Sequence, residues 1–120
     1  DLIEKSIVPD IVLPSHSAAL GIIFYTGDQF PAEYRNNAFI ALHGSINRSK
    51  LAGYSVVRVA FEDGRPTTAP EDFLTGFIVR DTEDEKEVWG RPVDILQYLD
   101  GSLLVSDDGG NRILRISYSN

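Results

Sequence analysis

"FIALHGSINR", residues 39–48, and "LLVSDDGGNR", residues 103–112, decide how this sequence is read. Each is an apolar, β-prone run that breaks into small and polar residues and ends on Asn-Arg. The two align without a gap. After a short indel, "VVRVAF" (56–61) matches "ILRISY" (113–118), and upstream "LGIIFYTG" (20–27) stands where "PVDILQYLDG" (92–101) stands. Each unit reads as strand, strand, Asn-Arg turn, and a strand with a central Val/Leu-Arg-Val/Ile. A repeated supersecondary unit of this size implies an architecture in which each copy buries its face against the next.

Short β-prone runs separated by turn residues occupy most of the chain, and no amphipathic helical period is evident. "DIVLP" (10–14) is an extended piece closed by proline. "QFPAEYRNN" (29–37) is a polar loop with one helical turn expected after Pro31. "YSVVRVAFE" (54–62) alternates, with Val57, Val59 and Phe61 on one side and Val56, Arg58 and Ala60 on the other. "EDFLTGFIV" (71–79) is a further strand and "RDTEDEKEV" a charged, solvated loop. Eight strands at hairpin spacing follow, and the fold class is all-β. Four-stranded units joined by hairpins imply two β-propeller blades rather than the halves of a sandwich.

The expected division is an outer strand of a neighbouring blade in 1–14, a complete blade in 17–80, and three strands of a second blade in 90–118. Two blades leave apolar faces and strand edges open. Three copies would supply six blades, so a homotrimer closing a six-bladed ring is the expected partner arrangement. The spare N-terminal strand would complete the three-stranded blade of a neighbour. The chain contains no methionine, and the corresponding expectation is that it is trimmed or excised from a longer parent.

A formal charge of −7 opposes binding to nucleic acid or to an anionic membrane surface, which both favour a basic stripe. There is no apolar run long enough to span a bilayer and no basic start with an apolar core that would mark a secretory signal in these residues. With no cysteine, thiolate metal sites and disulfides are excluded.

The stretches "SHSAALGIIFYTGDQFPAEYRNNAFIALHGSINR", "GYSVVRVAFEDGRP", "EDFLTGF" and "WGRPVDILQYLDGSLLVSDDGGNRILRISY" resemble the C-terminal third of the glucose/sorbosone dehydrogenase family. The resemblance implies a six-bladed propeller, periplasmic or secreted, of a kind that oxidises sugars with pyrroloquinoline quinone (PQQ) and calcium. It further implies that basic side chains around the central opening hold the cofactor. Gly90-Arg91 matches one such position. A second arginine of the family falls on Val93, and a lysine of the family's basic pair falls on Asn47, beside Arg48. The family's catalytic histidine and calcium loop lie in parts this chain does not contain, so no catalytic residue is assigned and an intact dehydrogenase site is not expected.

The candidate ligand-binding residues are therefore Asn47, Arg48, Arg91, His43 and His16, facing a small sugar-like or anionic ligand. Arginine suits a carboxylate through its forked donors, and histidine suits proton transfer. No histidine pair has metal-ligand spacing, and no metal ligand is assigned. Asp107 and Asp108 beside two glycines read as a tight turn held by side-chain hydrogen bonds rather than as a calcium loop. Trp89 reads as a blade-packing residue in preference to a sugar platform. Two other readings stay open: a fragment of a full dehydrogenase, and a non-catalytic propeller scaffold that binds proteins.

Overall fold

A computed structural model of the chain describes residues 1–46 and 48–120. Its strands are β1 (Ala19–Phe24), β2 (Ala38–Leu42), β3 (Ser55–Val59), β4 (Phe61–Glu62), β5 (Arg65–Pro66), β6 (Glu71–Leu74), β7 (Ile78–Asp81), β8 (Lys86–Val88), β9 (Pro92–Gln97), β10 (Leu103–Asp107) and β11 (Arg112–Ile116). Four of them form an antiparallel sheet in the order β1-β2-β3-β6, and three form a second in the order β9-β10-β11. The expected helical turn after Pro31 is present as a 3₁₀ turn, Ala32–Tyr34.

The two sheets stack face to face. Tyr25, Phe39, Ala41 and Val56 of the first meet Ile95, Leu103 and Val105 of the second, with Leu114 and Ile116 packed alongside. Phe30, Tyr34 and Phe73 extend this core, and Phe39 meets Phe73 edge to face at 4.7 Å between ring centres. The molecule is only 20 Å thick in its shortest dimension, which suits two sheets about 10 Å apart with their outer side chains. β3 is buried on both faces apart from Arg58, where simple alternation leads one to expect half burial. It lies inside its sheet between β2 and β6, and both faces of that sheet are covered at this point.

The ladders show which residues of the two sheets correspond. Ile23 faces Phe39, and Phe39 faces Arg58; Leu96 faces Leu104, and Leu104 faces Arg115. The rows Ile23–Phe39–Arg58 and Leu96–Leu104–Arg115 are thus equivalent. Ala19 opposite Leu42 matches Pro92 opposite Asp107 in the same register. Phe39 therefore corresponds to Leu104, one residue away from the gapless alignment that the Asn-Arg match suggests.

This register reassigns the Asn-Arg corner. Arg112 opens β11 as Ser55 opens β3, and the residue before each has positive φ, Tyr54 at 59° and Asn111 at 53°. Gly44 and Gly53 correspond to Gly109 and Gly110. The described residues of 45–52 are an insertion with no counterpart in the second sheet, and Arg48 does not correspond to Arg112. The insertion is pinched at its base: the Ser45 amide donates to the Ala52 carbonyl (2.9 Å), and the Ala52 amide donates to Ser45 Oγ (3.1 Å).

Two further elements differ from the sequence reading. The run 71–79 is not one strand. It breaks after β6 at Thr75-Gly76, where Gly76 has φ +98°. The charged stretch that follows is not a plain loop but the hairpin β7–β8, closed by Thr82 and Glu85. Residues 6–14 have no ladder partner within the chain. Val12, Leu13 and Pro14 line an open cleft with Leu42 and Val57 on the first sheet's outward face.

Candidate functional site

The ends of β2 and β10 and the starts of β1, β3, β9 and β11 lie at one end of the stacked sheets, and the sequence-predicted residues gather in the connections there. Arg91 precedes β9. Its guanidinium donates through Nε to the His43 carbonyl (3.1 Å) and through Nη2 to the Gly44 carbonyl (2.9 Å), and it lies 5.4 Å from the Tyr54 ring centre. The side chain crosses from the second sheet to the first and fixes the segment leaving β2.

His43 is the first residue beyond β2. Its Nε2 lies 2.8 Å from Asp108 Oδ1, where the ring N–H donates to the carboxylate. Arg48 Nη1 donates to the Ser15 carbonyl at 3.0 Å, which ties the insertion to the segment carrying His16. His16 itself is exposed, in a turn with φ +64°. Asn47 lies outside the described residues. Arg91 and His43 are thus brought together across the sheets, and Arg48 joins the neighbourhood of His16.

Asp107 holds this end together, and the sequence reading gave it a turn role only. Its side chain is buried. Oδ1 accepts from the Arg91 amide (2.6 Å) and the Gly110 amide (2.8 Å), and Oδ2 accepts from Arg112 Nε (2.9 Å). Burial pushes this carboxyl up, but the two amides and the Arg112 guanidinium outweigh it and hold it below the usual aspartate value. The carboxylate reaches these amides only because Gly90 has no side chain, since a Cβ there would meet Asp107 Oδ2 at 2.2 Å. The signal in the sequence was the pairing of Gly-Arg before one strand with Asp at the end of the next.

Arg112 also donates to the Trp89 carbonyl and lies 3.4 Å over the Trp89 ring. Trp89 packs on buried Phe77 at 5.8 Å between ring centres, so it holds the β7–β8 hairpin against the second sheet while one part stays exposed. Tyr54, which roofs Gly44 and donates to the Ser45 carbonyl, was missed as a site residue; the Gly-Tyr pair before β3 carries no recognisable motif. Among the described residues no group of three or more His, Cys, Asp or Glu could hold a metal ion, and no helix is long and apolar enough to cross a membrane.

The comparisons with known proteins bear on what such an end does. A family model described as TrAA12-like matches residues 3–119. The chain belongs to the TrAA12-like family. The TrAA12-like chain is 48% identical over 114 residues to an uncharacterised protein of Borreliella burgdorferi, covering 92% of the chain and 29% of that protein. It is 32% identical over 130 residues to a pyrroloquinoline quinone-dependent pyranose dehydrogenase of Coprinopsis cinerea, covering 93% of the chain and 16% of that enzyme. The TrAA12-like chain therefore spans less than a third of these relatives.

Among solved structures, the holo PQQ domain of the Coprinopsis cinerea pyranose dehydrogenase matches 97% of the chain and 30% of its own length, with TM-score 0.76 and 29% identity. A Trichoderma reesei carbohydrate-active enzyme of family AA12, in its iodide structure, matches 88% of the chain and 26% of its own length, with TM-score 0.71 and 30% identity. The all-β TrAA12-like chain thus shares its fold with PQQ-domain β-propellers, and its two sheets are blades of that architecture.

Proposed function

We propose that the chain is a two-blade propeller module that closes a six-bladed ring with two further copies. Its mouth takes a small sugar-like or anionic ligand and lacks an intact dehydrogenase site. The observation that carries the assembly is the contrast between equivalent positions. Val56, on the covered face of the first sheet, is 0% exposed, whereas Ile113, its equivalent on the outward face of the second, is 72% exposed. Leu96 and Ile113 on that face, and Leu20, Ile22 and Phe24 on the outward face of the first, leave apolar surface open at both ends of the stack. A head-to-tail interface that joins the two faces and closes by rotation buries both.

The reading of the mouth rests on what its cations already hold. PQQ is a polycarboxylate and calls for free basic donors. Arg91 spends two donors on the His43 and Gly44 carbonyls, Arg112 spends its own on Asp107 and Trp89, and Arg48 holds Ser15. Val93 stands where the resemblance placed a second arginine. This set fits PQQ poorly, and no chemical step is derived through it. A second reading is favoured by the length comparison: the chain covers under a third of its relatives, which suits a segment whose remaining blades, and any activity, belong to a longer protein.

Sedimentation equilibrium across micromolar concentrations, paired with titration calorimetry using PQQ and simple sugars, tests the proposal. A trimer mass that Leu96→Asp reduces to monomer, with heat from a simple sugar that Arg48→Ala weakens and none from PQQ, is the expected result. A monomer at every concentration removes the ring, and absence of heat from every ligand removes the binding mouth.

A further inference from the structure

The covered interface shows how one blade grips the next at the end opposite the candidate site. Tyr25, the first residue beyond β1, is wholly buried. Its hydroxyl donates to the Gly101 carbonyl (2.7 Å) and accepts from the Phe30 amide (3.2 Å). Gly101 has φ +86°, and its amide closes the β9–β10 turn on the Tyr98 carbonyl (3.0 Å). Two contacts flank the tyrosine: the Thr26 amide donates to Gln97 Oε1 (2.8 Å), and the Tyr118 amide donates to Gln29 Oε1 (2.9 Å).

The same turn stands on the first sheet's outward side. Asn36 has φ +63° and its amide closes on the Tyr25 carbonyl (2.7 Å). The Tyr25 amide donates to the Asn37 carbonyl as the Tyr98 amide donates to that of Ser102. Asn36 therefore corresponds to Gly101 and carries an equivalent carbonyl. Phe24 and Phe61 occupy the places of Gln97 and Tyr118, one residue beyond Ile23/Leu96 and three beyond Arg58/Arg115. The two rings pack edge to face at 5.1 Å between centres, and beside them, where Tyr25 would sit in the equivalent interface, is an open cleft of ≈ 670 Å³ lined by Phe24, Asn36, Phe61, Glu62, Asp63 and Gly64. Tyr98 is the counterpart of Tyr25, but 43% exposed instead of 0%.

We propose that Tyr98 of one copy of this chain enters the Phe24–Asn36–Phe61 cleft of the next copy and donates its hydroxyl to the Asn36 carbonyl. The inference rests on the head-to-tail reading above and names the contact that makes it. Donor and acceptor lie on opposite faces of one chain, so each copy offers both halves and the contact is heterologous, the type that closes into rings. The partner is a second copy because the two open faces correspond, row by row, to the two faces already packed together within the chain.

Two measurements on the intact chain test it. p-Benzoylphenylalanine at position 98 is irradiated and the products are mapped by peptide mass spectrometry, beside the sedimentation mass of the unmodified chain. Interchain adducts on peptides containing Asn36 or Phe61–Gly64 are expected. Tyr98→Phe, which keeps the ring and removes the donor, is expected to weaken association roughly tenfold. A trimer whose adducts map elsewhere, or whose association Tyr98→Phe leaves unchanged, overturns this contact while the ring stands. A monomer without interchain adducts overturns both.

Discussion

His43 and Asp108, 2.8 Å apart, occupy the same place in successive blades: each is the first residue beyond its second strand. One position of the repeat thus carries a base in one blade and an acid in the next, and the two meet where the blades adjoin. Asp108 is largely exposed, so the contact contributes little to folding. Asp108→Ala is expected to change unfolding stability in urea by less than about 1 kcal/mol.

Its neighbour behaves differently. Asp107→Ala leaves the Arg91 and Gly110 amides and the Arg112 guanidinium without their common acceptor in a buried place. The expected loss is about 2–4 kcal/mol, read from the urea midpoint at unchanged slope. A loss as small as that of Asp108→Ala would show that water replaces the carboxylate freely.

Arg91→Ala removes two charged hydrogen bonds that cross between blades, and about 1.5–3 kcal/mol is the expected cost. Arg91→Lys should recover only part of it, because one ammonium cannot match the spacing of Nε and Nη2 on two successive carbonyls. Hydrogen exchange should localise the loosening to residues 43–44 in both variants.

Acid should weaken the fold from a defined direction. The Ser102 hydroxyl and amide, with Arg115, hold Asp100 at about 2, and Asp107 is also held below its usual value. A carboxyl whose folded pKa is depressed contributes stability that is fully present above its unfolded value near 3.8 and is lost as pH falls toward the folded one. Urea midpoints are therefore expected to hold above pH 5 and to fall between about pH 4 and pH 2, with a shallower fall in Asp100→Asn.

Gly44→Ala should be among the costliest single-methyl changes in the chain. Gly44 has φ +99° and its added Cβ would lie 2.3 Å from the Tyr54 ring. Gly64 is a matched control: it has φ +73° with open space around it, so Gly64→Ala carries backbone strain alone, about 1 kcal/mol. Thermal unfolding of the two variants separates steric from conformational cost.

The alternation of apolar residues and the turn dipeptides made the strands of both blades and their hairpin order legible. The match of Arg58 with Arg115 located the equivalent third strands. The Asn-Arg recurrence misled, because a gapless match of short polar turns competes with the strand register, and only the ladder pairings show that residues 45–52 are inserted. The β7–β8 hairpin was hidden by its acidic composition, which reads as solvated loop although Thr82 closes it and Lys86 pairs with Asp81. Among the site residues, Arg91 was found by resemblance, but its attachment to carbonyls of the neighbouring blade depends on packing between sheets that no local pattern encodes.

The pinched base of the 45–52 insertion gives this end of the first blade a separable part. Gly44 and Gly53 are in contact, since a Cβ added at Gly53 would lie 2.9 Å from Gly44 Cα. The second blade turns at the corresponding place with Gly109 and Gly110 adjacent in the chain, neither of them at the positive φ that Gly44 and Gly53 adopt. The loop is in effect a cassette clipped onto a finished corner. Beyond that clip it is tied to the rest of the chain by the Leu51 amide on Asp81 Oδ2 and by Arg48 on the Ser15 carbonyl, so its sequence can vary while the blades beneath keep their register.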